Sequence, residues 1–158
     1  MDKATELITG EHREVQDLFG RFEASPERST AMLLCELLER HTQMEEEVVY
    51  PELRAVDQDL YDDAVEEHEE AAGLISRIRA TDDDGEVAGL VAELRAAIEH
   101  HVEDEETEDL PAMLEACGAD RMEALGQQME QWRSARGGGG AGATVGRDDE
   151  ETEVPAGG

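Results

Sequence analysis

The chain has 158 residues, of which 42 are Asp or Glu and 13 are Lys or Arg, so its formal net charge is −29. A field this negative repels nucleic-acid backbones and anionic membrane surfaces, so we expect neither as a partner. No apolar run approaches the roughly 18 residues that a membrane-spanning helix needs. Hydrophobic residues still make up 39% of the chain, which is enough to bury a core.

Five segments before residue 137 carry apolar residues at helical spacing, and none shows the alternation of a strand. The first four segments are roughly 20 residues or longer with short connections, which favours an all-α, antiparallel up-down four-helix bundle. A short fifth helix is expected to pack against one end or side of it. The stripes comprise Ile8, Val15, Phe19 and Phe22; Leu34, Leu37, Leu38 and Val48, before Pro51; Val65, Leu74, Ile75 and Ile78; Leu90, Val91, Leu94 and Ile98, before Pro111; and Met122, Leu125, Met129 and Trp132.

The composition changes sharply at Gly137. The remaining segment holds eight of the 15 glycines, many acidic residues and almost nothing apolar. Such a composition cannot bury enough surface to offset the entropy of ordering. We therefore predict a helical-bundle domain over residues 1–136 and a disordered, Gly-rich acidic tail over residues 137–158.

The N-terminus and the cysteines indicate the compartment. The first 20 residues contain no apolar stretch followed by a small-residue cleavage site, unlike a secretory signal. The two cysteines, Cys35 and Cys117, do not form a disulfide framework, and we expect both to be free thiols in a reducing environment. We predict a cytoplasmic protein.

The strongest pattern is an internal repeat. The motif H-x-x-x-E-E-x-x-x-x-P runs from His41 to Pro51 and again, 60 residues later, from His101 to Pro111. A weaker pair, Glu11-His12 and Glu67-His68, repeats at an offset of 56 residues. Each of the four long helices therefore carries one histidine of the repeated pattern.

The spacing places metal-ligand side chains on inner helix faces. Residues four apart share a face, so His41 projects with Glu45, as does His101 with Glu105. His12 lies on the first apolar stripe, and His68 lies on a face with small alanines around it. Four imidazoles and two carboxylates inside an apolar bundle would be costly without a partner. We predict a metal site formed by His12, His41, Glu45, His68, His101 and Glu105.

The ligand types narrow the choice of metal. Imidazole and carboxylate without thiolate suit iron or manganese, whereas zinc would bind but has no redox use here. If Glu45 and Glu105 each bridge two metals, each metal receives two histidines and two carboxylate oxygens. An octahedral ion with an added bridge would keep one position open for dioxygen, peroxide or nitric oxide.

This pattern resembles the hemerythrin-like, or HHE cation-binding, family over roughly residues 5 to 115. The resemblance implies a four-helix bundle with a non-haem centre of two iron ions, bridged by oxo or hydroxo and held by these six residues; manganese or zinc fits less well. Dioxygen carriers of the family have a further histidine where this chain has Ala72. The chain is thus more similar to nitric-oxide-responsive iron–sulfur repair proteins and to peroxide-consuming members.

We therefore expect a centre that reacts with a small oxidant, namely peroxide, or with nitric oxide. Two alternatives stay open. One is a binding module that senses dioxygen or redox state, or stores iron, without turnover. The other is an acidic bundle that is purely structural.

Five further residues have side chains with relevant chemistry. Tyr61 lies two turns before His68 on the inner face, where its phenol could bond a ligand or fill the open metal position, although a core tyrosine is the plainer interpretation. Tyr50 is nine residues from His41, on the opposite face, and is interpreted as structural. Glu46 and Glu106 are assigned to a solvated face, with ligand orientation as the alternative. His100 is expected to be exposed.

Overall fold

The computed structural model describes residues 1–136, and helices fill nearly all of this range. Within it there is no strand, so the all-helical prediction is confirmed there. The tail predicted over residues 137–158 lies outside the described residues, and the domain boundary stays a prediction. The helices are α1 (Lys3–Ala24), α2 (Arg28–Met44), α3 (Tyr50–Val56), α4 (Gln58–Ala80), α5 (Asp84–Asp104), α6 (Leu110–Cys117) and α7 (Ala119–Ala135).

Short polar residues set the beginnings of three long helices. Asp2, Asp57 and Asp83 precede α1, α4 and α5, and each carboxylate accepts a hydrogen bond from a backbone N–H in the first turn. These bonds satisfy donors that the helix itself leaves unpaired. Gly118 separates α6 from α7 with a φ of 89°, a left-handed conformation that favours glycine.

Two π-helical segments interrupt the repeat helices without ending them. Segment π1 (Glu45–Val49) joins α2 to α3, and segment π2 (Glu105–Asp109) joins α5 to α6. The second and fourth apolar stripes end before Pro51 and Pro111, but each helix continues through its proline. Both prolines occupy the first turn after a π segment, where the missing N–H is tolerated. π turns occur often at functional sites, and these two begin at Glu45 and Glu105.

The buried apolar residues form two clusters. One contains Phe19, Leu34 and Leu94, and the other contains Ile8 and Met44 together with the apolar stripe of α7. Contacts join α1 to α2, α2 to α4, α4 to α5 and α1 to α5, while α7 packs along α1. Within residues 1–136, no helix is long and apolar enough to cross a membrane.

Candidate metal centre

All six predicted ligands are buried side chains that the helices bring together. Their ligand atoms form two groups, and within each group the atoms lie within 4.8 Å of one another. Glu45 belongs to both groups, so the two positions are neighbours. The first group, called group 1, contains His12, His41, Glu45 and Glu105; the second, group 2, contains Glu45, His68 and His101.

Group 1 contains four buried polar atoms that form no hydrogen bond. They are His12 Nε2, His41 Nε2, Glu45 Oε2 and Glu105 Oε1. The atoms lie close together, with His12 Nε2 3.0 Å from Glu105 Oε1 and His41 Nε2 3.1 Å from Glu45 Oε2, but without hydrogen-bonding geometry. Buried polar atoms are normally satisfied. A cation coordinated by all four atoms would satisfy them together, so these residues fit a metal ion.

Group 2 surrounds the hydroxyl of Tyr50. The oxygen lies 2.9 Å from His68 Nε2, 3.1 Å from Glu105 Oε2, 3.3 Å from Glu45 Oε1 and 3.5 Å from His101 Nε2. The expectation that Tyr50 faces away and is merely structural is therefore wrong. Its phenol is part of the site.

Segment π1 explains the position of Tyr50. Nine residues of regular α-helix turn about 900°, which is half a turn away from His41. In the structure the Tyr50 N–H donates to the carbonyl of Glu45, five residues earlier, so one turn takes an extra residue. Tyr50 therefore sits about 100° short of the α-helical position and faces inward.

Tyr61 does not take the role considered for it. Its ring packs edge-on against Tyr50, with centroids 6.4 Å apart, and the guanidinium of Arg54 lies 5.5 Å from its centroid. Tyr61 belongs to the partly buried rim of a core cluster. The core interpretation of Tyr61 agrees with this position.

Each of the four inward histidines has a glutamate carboxylate at its Nδ1 atom, on the edge of the ring opposite Nε2. In each case the ring Nδ1–H is placed to donate to a glutamate on another helix or π segment. Such a bond fixes the ring and leaves Nε2 directed at the metal position. The four pairs are His12 with Glu106 at 2.8 Å, His41 with Glu11 at 2.5 Å, His68 with Glu46 at 2.8 Å, and His101 with Glu67 at 2.7 Å. We call these four glutamates the outer glutamates.

The assignment of Glu46 and Glu106 to a solvated face is therefore wrong. Both point back to a histidine of the site, although Glu46 remains half-exposed. Glu11 and Glu67 were noticed only as sequence neighbours of His12 and His68. The sequence did contain a signal for these glutamates. Each outer glutamate is adjacent in the chain to a predicted ligand, and each bonds a histidine of a different helix.

The comparison with family models agrees with this geometry. The model of the hemerythrin HHE cation-binding domain matches residues 3–113, more than half of the chain. The chain belongs to this family. Neither the comparison with curated proteins nor that with solved structures returned a match. The matched hemerythrin domain contains both groups and all four outer glutamates, and α7 follows it.

Without a metal, the hemerythrin domain holds protons at the site. Burial opposes the charge of His101, but Glu105 and Glu45 outweigh it and raise the pKa to about 11. Burial likewise opposes the charge of His41, yet Glu45 and Glu105 raise its pKa overall. Burial disfavours ionised Glu45, and the histidines around it nevertheless hold its pKa well below the usual range. The site thus favours positive charge at its centre.

Two other buried acids near the site retain their protons. Burial, followed by the charges of Glu105 and Glu45, raises the pKa of Tyr50 well above its ordinary value. Burial and then Glu105 raise the pKa of Asp109 to about 8. Asp109 ends π2 and is only 4% exposed. The hemerythrin domain therefore contains two buried proton donors at neutral pH.

The remaining predicted residues lie outside both groups. The His100 side chain is 68% exposed, as expected, and lies near Glu67 and Asp104. Cys35 and Cys117 are both free thiols, which confirms the absence of a disulfide between them. Neither cysteine belongs to the buried histidine–carboxylate groups of the hemerythrin domain.

Proposed function

We propose that the hemerythrin domain holds two iron ions and consumes peroxide. The observation that carries this proposal is the group of four buried, unpaired ligand atoms beside a second group that shares Glu45. In this arrangement the four inward histidines, together with Glu45 and Glu105, would hold the two ions. Iron at these positions would supply the electron transfer that peroxide consumption requires.

The order of the contacts supports an antiparallel up-down arrangement of the long helices. His12 near the middle of α1 contacts Glu106 of π2, which continues α5, while Glu23 near the end of α1 contacts Arg95 of α5, so the two helices run in opposite directions. The continuous helix α2–π1 and α4 follow the same reversed order, because Glu39 contacts Arg79 while Glu46 contacts His68. This topology brings one histidine from each long helix to the same level of the bundle.

The donor set supports iron over zinc. Both groups contain only imidazole and carboxylate among the described residues, and no thiolate. Such ligands suit iron and manganese, and the family described as cation-binding fits either metal. Iron is a stronger proposal than zinc because peroxide consumption requires a metal that changes its oxidation state.

The buried proton donors favour peroxide over nitric oxide. When two peroxide molecules react together, one loses two electrons and two protons to become dioxygen. The other takes up two electrons and two protons to become two waters. The Tyr50 hydroxyl contacts Glu45 and Glu105 and can hold and return a proton there, and Asp109, buried in the same π segment as Glu105, is the second candidate for this role. Binding nitric oxide needs no proton, so it would leave these two groups without a use.

The chain's own residues would position and protect the reaction. The outer glutamates hold the imidazoles in one orientation, and the buried setting keeps bulk water away from group 1. The Tyr50 hydroxyl, in contact with both Glu45 and Glu105, is placed to donate a hydrogen bond at the centre of the site. A cytoplasmic location stays a prediction.

An oxygen electrode tests the proposal. Iron-loaded protein is expected to release one dioxygen for every two peroxides added, over many turnovers per chain. His101→Ala is expected to abolish the release, whereas its exposed neighbour variant His100→Ala retains it. Free iron at matched concentration is the second control. A stable, reversible adduct with dioxygen or nitric oxide, and no sustained release, would instead support a sensing or storage module.

A further inference from the structure

Helix α7, the last helix of the described residues, follows the family-matched region yet packs against elements that carry the proposed ligands. It packs along α1 and also contacts α2 and π1. Its apolar stripe is buried in the same cluster as Ile8 and Tyr50. At Gly126 the approach is so close that a methyl group would lie 2.5 Å from the Lys3 side chain. This packing holds α7 in one position relative to α1.

Arg133 of α7 reaches the carboxylate behind His41. Its guanidinium forms an ion pair with Oε2 of Glu11, and the other oxygen of Glu11 lies 2.5 Å from His41 Nδ1. The pair is poorly solvated, with 24% of the Arg133 side chain and 14% of the Glu11 side chain exposed. A cavity of about 30 Å³ borders all three residues. A charge in such a setting is weakly screened and acts strongly on its neighbours.

Two of the other outer glutamates, Glu106 and Glu46, lie in more solvent-exposed surroundings. Arg13 lies 3.4 Å from Glu106, but its side chain is 61% exposed and solvent screens the pair. Glu46 is itself 50% exposed. The connection from Arg133 through Glu11 to His41 therefore distinguishes one side of the centre.

We propose that Arg133 is a positioning residue of the metal centre, acting on His41 through Glu11; this inference rests on the proposed function. The guanidinium fixes the Glu11 carboxylate against Nδ1 and takes up part of its charge. His41 then donates less strongly to a metal than it would opposite an unpaired carboxylate. The metal position of His12 and His41 thereby becomes different from its neighbour.

Proton NMR of the metal-free protein tests the connection independently of iron. A downfield, slowly exchanging Nδ1–H signal is expected from His41, assigned by its loss in His41→Gln. Arg133→Gln is expected to shift the signal upfield or remove it through exchange, and Arg133→Lys to retain it. Arg136→Gln is the matched control, because Arg136 directly follows the same helix and pairs with Glu47 instead. The proposal is overturned by a wild-type protein without the signal, or by a signal unchanged in Arg133→Gln.

The reduction potential of the iron-loaded protein provides the second test. Losing a shielded positive charge favours the more oxidised metal, so Arg133→Gln is expected to shift the potential downward. Arg133→Lys and Arg136→Gln are expected to match the wild type. If the protein binds no iron, the proposed function fails and the NMR result alone decides the role of Arg133. If iron binds and Arg133→Gln leaves the potential unchanged, only this inference fails.

Discussion

The carboxylate of Glu46 lies 2.8 Å from Nδ1 of His68, while that of its neighbour Glu45 lies 3.1 Å from Nε2 of the same ring. Two successive glutamates in the chain thus contact opposite edges of one imidazole. One of them is a proposed ligand, and the other orients the histidine. This division of roles explains why each copy of the repeat contains two adjacent glutamates.

Replacing Glu46 with Gln is expected to weaken iron binding. The amide still accepts a hydrogen bond but lacks the charge that raises the basicity of His68, so the affinity should fall by about 10- to 100-fold. Competition with a chelator measures the change. Glu47→Gln is the control. Glu47 lies on the same π segment as Glu46, but it accepts a hydrogen bond from Trp132 and does not contact His68. Equal affinities of the two variants would contradict an orienting role for Glu46.

Removing the Tyr50 hydroxyl is expected to slow peroxide consumption without releasing iron. A positioned proton donor typically contributes 10²- to 10⁴-fold, and we expect Tyr50→Phe to lower the rate of dioxygen release by about 100-fold. Iron content should stay at the wild-type level. Tyr61→Phe, the neighbouring core tyrosine, should leave both quantities unchanged. A Tyr50→Phe rate equal to that of Tyr61→Phe would rule out this role.

Iron(II) binding is expected to strengthen as the pH rises from 6 to 8. The metal-free site retains a proton on His101, whose pKa is raised to about 11, and the pKa of His41 is raised as well. Each proton that the metal displaces makes the apparent affinity rise by up to about tenfold per pH unit. A pH indicator in weakly buffered solution should record the released protons. Binding without proton release, and with a flat pH dependence, would disagree with this expectation.

Asp109 is expected to make the metal-free protein less stable at higher pH. Its pKa is about 8 when folded and about 3.9 when unfolded, so the unfolded state loses the proton first. The free energy of unfolding therefore falls as the pH rises between these values, by at most about 1.4 kcal/mol per pH unit. Asp109→Asn removes that loss, so its stability relative to wild type should grow from pH 5 to 8 and level off above. Urea denaturation checks this, with exposed Asp82→Asn as control; a constant difference would contradict it.

The grouping of the six proposed ligands could be predicted from the sequence. His41 with Glu45 and His101 with Glu105 follow from helical periodicity alone, because four residues make about one turn. His12 and His68 follow from the apolar faces on which they lie. The all-helical architecture follows from the same periodicity, since each stripe needs another helix to cover it.

Residues whose position depends on a local departure from the α-helix were not predictable in this way. Tyr50 is on the wrong face in any regular helix, and only the π turn at Glu45 brings it inward. Glu46 looked like the chain's many other surface acids. Its role appears only when α4 places His68 opposite it, which depends on tertiary packing rather than on spacing.

The most direct test of the central claim is the iron content of protein purified from iron-supplied cells. We predict two irons per chain in the wild type and in His100→Ala, and fewer in His101→Ala, because His101 belongs to a buried group whereas the His100 side chain is exposed. Circular dichroism verifies that both variants remain helical. A wild type without stoichiometric iron, or a His101→Ala variant that retains as much iron as His100→Ala, would contradict the proposed centre.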